Sequence, residues 1–188
     1  MQHAVLFYGL GVDSTAILLR WILEPASSPC PLENITVITA MTGDEFENTG
    51  ENVTTHILPL MRAHGLRYVQ VARHGAKEAD GITILSDTRD PDTLYLKGDY
   101  KLSDELAASG VVPSYAGIHK CSLKAKVFAC ETWLENHYDH HVFGHAFGYN
   151  AEEPKRVEKS EAATFVTLAE EQADRWIVPL CSEDAING

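Results

Sequence analysis

Residues 8–15 read Tyr-Gly-Leu-Gly-Val-Asp-Ser-Thr and join an apolar strand pattern to an apolar helix pattern. Residues 4–8 have the length and composition of a buried parallel strand. Residues 16–23 are almost wholly apolar and stop before a Glu-Pro pair, as a buried helix does. The connection must turn sharply, and Gly9 and Gly11 permit backbone angles and close approaches that a Cβ would prevent.

This strand, glycine turn and helix predict a phosphate cradle. The unpaired N–H groups and the positive dipole end of a helix N-terminus attract anions, and glycines let a ligand approach the backbone. The alternative is an ordinary strand-to-helix turn in which Asp13 or Ser14 caps the helix.

The rest of the chain continues the alternation of strand and helix. Strand patterns recur at residues 4–8, 35–39, 68–72, 142–147 and 176–180. Helix patterns lie at residues 14–24, about 52–64 and about 122–137, with Pro59 expected to kink or restart the second. Such alternation predicts an α/β, doubly wound, mostly parallel five-stranded sheet with helices on both faces, in a single domain spanning residues 1–188.

Residues 73–117 break this rhythm. They hold seven Gly or Pro residues and have no clear periodicity, which predicts a functional insertion, a lid or a mobile loop. A short extra strand at 83–85 and a short helix at 103–108 are expected inside it.

Composition and charge narrow the class of protein. The 188 residues are 45% apolar and 22% charged, as in an ordinary globular domain. Apolar runs stay short of the ~20 residues that a membrane helix needs, and the chain opens without a signal-peptide pattern. We therefore expect a cytoplasmic protein without a membrane partner. The net charge of −12 argues against direct nucleic-acid binding. The sequence leaves open whether the chain forms a homodimer.

The sequence predicts no resident metal site. The four cysteines are irregularly spaced, without a C-x-x-C pair, so neither a zinc ribbon nor a disulfide framework is indicated. A histidine group has no supporting Cys or carboxylate spacing for zinc; its members are His137, His140, His141 and His145.

The glycine turn resembles a known family motif. Residues 9–14 resemble the PP-loop, S-x-G-x-D-S, of the ATP pyrophosphatases and phosphoadenylylsulfate (PAPS) reductases, matching at Gly11, Asp13 and Ser14. Gly9 stands where the motif has its first Ser, which removes one hydroxyl donor. Neither the P-loop pattern nor the dinucleotide pattern G-x-G-x-x-G is present.

Three further segments resemble PAPS reductase elements, in the same order along the chain. Residues 42–46 resemble T-G-x-E-F, Cys121 and Lys126 resemble the ends of C-[ST]-x-x-x-K, and residues 148–156 resemble G-x-x-A-x-E-x-x-R. The resemblance implies an adenine nucleotide alpha hydrolase-like fold. It implies nucleotide-binding residues Gly9, Leu10, Gly11, Val12, Ser14, Thr15, Thr39, Met41, Gly43 and Glu153. The catalytic residues it implies are Asp13, Lys126, Arg156 and Cys121.

Physical chemistry suggests a role for each implied group. Asp13 would repel phosphate directly, so it orients the loop or holds Mg²⁺ through water. Lys126 and Arg156 supply positive charge to phosphates, and Glu153 orients one of them. Ser14 adds a hydroxyl donor.

Several neighbouring residues leave alternatives open. Thr39 and Met41 are placed to contact adenine and ribose, and Gly43 lets the chain pass close to a ligand. Cys121 is either a reactive thiol, activated by the adjacent basic residues, or a buried inert one. An acidic group is either a helix-start cluster, which we favour slightly, or a Mg²⁺ site; it comprises Asp44, Glu45 and Glu47. Lys120 and Lys124 are interpreted as solvated surface charges.

The superfamily implies more than one reaction. The leading hypothesis is cleavage of ATP between its α- and β-phosphates, with Mg²⁺, to activate or thiolate an unknown acceptor. The alternatives are a PAPS reductase or sulfurtransferase, including the DNA phosphorothioation type with its iron–sulfur cluster, and a non-catalytic nucleotide-binding module. The C-terminal E-C-G-[IL]-H segment of the reductases is absent, since Cys181 precedes Ser-Glu-Asp, so reduction requires a missing tail.

Overall fold

The computed structural model of the chain describes residues 3–110, 112, 123–138, 143–148 and 177–179. The chain divides into two compact units, one drawn from residues 1–36 and 138–188 and the other from residues 37–137. The predicted single domain spanning residues 1–188 stays a prediction.

Strands and helices alternate along the described chain. In order, the elements are β1 (His3–Phe7), α1 (Val12–Leu23), β2 (Ile35–Met41), α2 (Glu47–Asn52), α3 (Leu58–Ala63), β3 (Arg67–Arg73), β4 (Ile82–Thr88), α4 (Leu102–Ser109), α5 (Phe128–His137), β5 (Phe143–Phe147) and β6 (Ile177–Pro179). The pairs β1–β5 and β5–β6 are parallel, and β3–β4 is antiparallel. This is an α/β fold with a mostly parallel sheet. The five predicted strands are all present, and β4 is a sixth.

In the first unit, β1 supplies the core strand and α1 packs an amphipathic face. Ala4, Val5 and Leu6 are buried, because this strand is apolar at every central position. Phe7 stacks on Phe147, the last residue of β5, with ring centroids 4.4 Å apart. The buried positions of α1 follow the i, i+3, i+4, i+7 spacing of one helix face; they are Ser14, Ile17, Leu18, Trp21 and Ile22.

In the second unit, β2 and β3 are buried along almost their whole length, and β4 is a half-exposed edge strand. Arg67 of β3 forms a bidentate pair with Asp87 of β4, with nitrogen–oxygen distances of 2.8 and 2.7 Å. Its guanidinium also lies 4.9 Å from the ring centroid of Trp133, a fully buried residue of α5. These contacts tie the edge strand to the core.

Pro59 restarts a helix, as predicted. A π-helical turn, Val53–Ile57, joins α2 to α3, and Pro59 falls in the first turn of α3. Proline has no N–H for the preceding turn, and the wider π turn accommodates the missing hydrogen bond.

The predicted insertion has more regular structure than its composition suggests. The extra strand expected at 83–85 extends over Ile82–Thr88, and the short helix expected at 103–108 is α4. The loop before α4 packs closely against β3: a Cβ added to Gly98 would lie only 2.8 Å from the Cβ of Ala72. Among the described residues, no helix is long and apolar enough to cross a membrane.

Candidate functional site

The turn after β1 has an unusual backbone and is open to solvent. Leu10 adopts a left-handed conformation (φ 62°), which a non-glycine residue rarely does, and its side chain is 7% exposed. Gly9 and Gly11 are exposed, and an added Cβ at either would meet no atom within 4 Å. The buried Leu10 therefore holds the turn in place while its flanking glycines present bare backbone to solvent.

Among the residues that the structure describes, no side chain caps the N-terminus of α1. Gly11 is the N-cap residue. Its backbone is extended, and it has no side chain that could form a capping hydrogen bond. Asp13 and Ser14 are therefore not the N-cap residue, while the alternative of an ordinary strand-to-helix turn stays a prediction. Glycine has no side chain to cap with, so no N-cap side chain competes with an anion for the amides of Val12 and Asp13 at the start of the helix.

The hydroxyls in this turn are directed to the backbone. Ser14 Oγ donates to the carbonyl oxygen of Gly11 at 3.2 Å, and Thr15 Oγ1 donates to the same oxygen at 2.8 Å. Tyr8 places its hydroxyl 3.1 Å from Thr15 Oγ1. The Ser14 hydroxyl, predicted as a phosphate donor, thus donates to the backbone at the start of α1. Main-chain amides are the remaining candidate donors for a phosphate in this turn.

Gly148 brings the end of β5 against the first turn of α1. A Cβ added to Gly148 would lie 2.5 Å from the backbone nitrogen of Ser14 and 2.9 Å from the carbonyl carbon of Asp13. Any side chain here would collide with backbone, so a glycine is required for this approach. The sequence element predicted at 148–156 thus begins beside the glycine turn.

The second unit holds the remaining described site residues, at the end of β2. Thr39 and Met41 are buried, at 2% exposure each, and Tyr68 donates its hydroxyl proton to Thr39 Oγ1 at 3.1 Å. Gly43 has φ 85°, and a Cβ there would lie 2.7 Å from Cγ of Lys101. The close approach predicted for Gly43 is thus an approach to the loop before α4.

The acidic residues after β2 have separate tasks. Asp44 Oδ2 accepts the backbone N–H of Ser103 at 2.8 Å and so caps α4, not the helix that follows it in sequence. Burial raises the pKa of Asp44, but the hydrogen bonds from Ser103 and the charge of Lys101 outweigh it and leave that pKa below its ordinary value. Glu47 lies in the first turn of α2. Glu47 therefore lies where the helix-start interpretation puts it, whereas Asp44 serves a helix elsewhere in the chain.

Both described lysines of the turn Leu123–Val127 are ion-paired. Lys126 Nζ lies 3.1 Å from Glu45 Oε1, which also accepts a hydrogen bond from Thr42 Oγ1 at 3.2 Å. Lys124 Nζ lies 2.5 Å from Glu105 Oε1 in α4. Lys124, interpreted from the sequence as a solvated surface charge, is 42% exposed and also binds a carboxylate 19 residues earlier in the chain.

A charged cluster that sequence reasoning missed centres on Glu105. Glu105 Oε2 accepts hydrogen bonds from Arg73 Nη1 at 3.0 Å and from the Tyr100 hydroxyl. The hydrogen bonds from Lys124, Tyr100 and Arg73 lower the pKa of Glu105 to about 2, and burial together with Glu105 raises the pKa of Tyr100 to about 12. A lone arginine ending a buried strand was the one signal in the sequence that could have pointed here.

The cysteines and histidines give no metal centre among the residues that the structure describes. Cys30 and Cys130 are buried free thiols, and burial raises the pKa of each. His137 stacks on Trp133 with ring centroids 4.1 Å apart, and His145 is buried beside Phe7. Other predicted residues lie outside the described ones: Cys121, Glu153, Arg156, Lys120, His140, His141 and Cys181.

Comparisons with family models, with curated proteins and with solved structures found no match for the chain. Function is therefore inferred from the residues and their geometry.

Proposed function

We propose that this chain is an adenine-nucleotide-binding PP-loop enzyme. It cleaves ATP between the α- and β-phosphates, with Mg²⁺, to activate or thiolate an acceptor, on a doubly wound sheet of the adenine nucleotide alpha hydrolase-like kind. The observation that carries the proposal is the exposed glycine turn opening onto an uncapped helix, with Gly148 closing against it.

The phosphate would be held by backbone. The first turn of α1 offers uncapped amides at the positive end of a 12-residue helix, where the dipole amounts to roughly half a unit charge. Asp13, half-buried in that turn, has the wrong charge for direct phosphate contact. It would therefore hold Mg²⁺ through water or fix the turn, and the cation would offset the negative charge of the nucleotide phosphates.

The positive groups of the reaction stay predictions. Arg156, Glu153 and Cys121 keep the roles that the motif resemblance implies. Lys126 lies 3.1 Å from Glu45 with one of its three N–H donors engaged, which leaves donors for a phosphate. The acceptor is a second substrate of unknown structure.

A charge placed at the mouth of the turn tests nucleotide binding. Val12 is 82% exposed at the start of α1, and Leu23 is 71% exposed at the other end of the same helix. Val12→Glu should weaken binding of ATP with Mg²⁺ by about tenfold or more, because a carboxylate within about 6 Å of a phosphate costs about 1–3 kcal/mol. Leu23→Glu is the matched control and should bind as the wild type does. Equal calorimetric affinities in all three proteins would reject the site.

Product analysis tests the reaction. With water in place of the acceptor, wild type should hydrolyse ATP to pyrophosphate and AMP in the presence of Mg²⁺. Asp13→Ala and Arg156→Ala should each abolish this while circular dichroism shows an intact fold. Unchanged turnover in both variants would reject the assignment. ATP binding without turnover would favour the non-catalytic module, and preferential binding of PAPS would favour the sulfonucleotide chemistry.

A further inference from the structure

We propose that Arg73, Tyr100 and Lys124 form a second anion site, which takes a tetrahedral oxyanion of the phosphate or sulfate type and which Glu105 occupies in the ligand-free chain. This inference concerns the second unit alone. Its donors all lie outside the turn after β1, so its test is separate from the test of nucleotide binding there.

The three donors converge from three separate segments. Arg73 ends β3, Tyr100 lies in the loop before α4, and Lys124 lies in the turn Leu123–Val127. All three donate to the one carboxylate of Glu105, with Arg73 Nη1 at 3.0 Å and Lys124 Nζ at 2.5 Å. Two cations and a hydroxyl around one carboxylate are the donor set that an oxyanion needs.

The carboxylate of Glu105 leaves one donor of this site, the Nε of Arg73, without an acceptor among the described residues. Arg73 is 3% exposed, and its Nε is buried. Its Nη2 donates to the carbonyl oxygen of Ala76, and its guanidinium lies 5.0 Å from the ring centroid of Tyr100. The two oxygens of Glu105 are already taken by Nη1, the Tyr100 hydroxyl and Lys124. A buried donor left unpaired is costly, and a tetrahedral ion brings the further oxygens that could satisfy it.

There is space for a further oxygen beside the guanidinium. A cavity of about 10 Å³, room for one water-sized group, is lined by Met41, Thr42, Arg73, Tyr100, Leu102 and Ala125. Glu105 itself is 22% exposed. A rotation of its side chain would carry the carboxylate from the donors into solvent and would remove the ion pairs that hold α4.

Removing the internal competitor tests the proposal. Glu105→Gln keeps the side-chain length and removes the charge, while Glu78→Gln, at an exposed residue, makes the same change in net charge elsewhere in the unit. Inorganic phosphate and sulfate, titrated separately at fixed ionic strength, should bind Glu105→Gln at least about tenfold more tightly than wild type or Glu78→Gln. Adding Lys124→Gln to Glu105→Gln should abolish that gain. The tighter of the two anions identifies the preferred class.

A measurement on the wild type covers the case in which Glu105→Gln fails to fold. Phosphate that displaces Glu105 should release α4 from Arg73 and Lys124, so hydrogen exchange at residues 102–109 should rise in phosphate relative to chloride at equal ionic strength. Unchanged exchange in the wild type, or anion affinity in a folded Glu105→Gln no tighter than in Glu78→Gln, would overturn the proposal and leave Glu105 as a structural ion pair.

Discussion

The substitution Gly148→Ala, which adds one methyl group, tests how closely Gly148 packs against the glycine turn. Gly148→Ala would put a Cβ 2.5 Å from the Ser14 nitrogen, so backbone must move. We expect a loss of about 1–3 kcal/mol in the free energy of unfolding, measured in urea, and weaker ATP binding. Gly9→Ala has open space and should change that free energy by less than about 0.5 kcal/mol. Equal stability of both variants would contradict the close approach.

Residue-level chemistry was only partly open to sequence reasoning. The glycine turn was predictable, because a strand pattern, two glycines and a helix pattern are adjacent in the chain. The partners of Lys126 and Arg73 were not, because Glu45 and Glu105 reach them across tens of residues and no local spacing records such a pairing. The same holds for Asp44, which caps a helix that begins 58 residues later.

At the scale of elements, α4 depends on a cap supplied from another part of the chain. Asp44→Ala removes the acceptor for the Ser103 N–H and should lower the free energy of unfolding by about 1 kcal/mol. Glu51→Ala, at an exposed position of α2, is the control and should change it little. Urea unfolding of wild type and the two variants measures this difference. An Asp44→Ala variant as stable as wild type would mean that the first turn of α4 forms without this cap.

The anchoring of α4 should depend on pH with a definite sign. The pKa of Glu105 is about 2 in the folded chain against an ordinary 4.5, so its contribution is complete above pH 4.5 and is lost as pH falls from 4.5 toward 2. Wild type should therefore lose more stability over that interval than Glu105→Gln, since both share every other carboxylate. The free energy of unfolding of both proteins is measured in urea at each pH. The same pH dependence in both would show that Glu105 does not form the described ion pairs.

Elements differed in how clearly the sequence marked them. Buried strands β1, β2 and β3 read as apolar runs and were predicted within two residues. Strand β4 was predicted at less than half its length, because an edge strand exposed on one side carries polar residues and loses its apolar signal. Helices on both faces of the sheet remain a prediction.

For the whole molecule, net charge sets how an anionic nucleotide approaches. A chain with a net charge of −12 repels ATP over about 30 Å at 0.01 M salt but over only about 8 Å at 0.15 M. ATP association should therefore become faster as salt rises across this range, and Mg²⁺ should have the same effect at low salt. Stopped-flow rates that fall with salt would instead show that a local basic surface dominates the encounter.

The central claim is that the turn after β1 binds nucleotide phosphate through its backbone amides. Amide chemical-shift mapping of the ¹⁵N-labelled chain, titrated with ATP and Mg²⁺, tests it most directly. The account predicts the largest shifts at residues 9–15 and at Gly148, saturating with a single affinity. A saturated titration with unshifted amides at residues 9–15, or no shift anywhere at millimolar ATP, would contradict it.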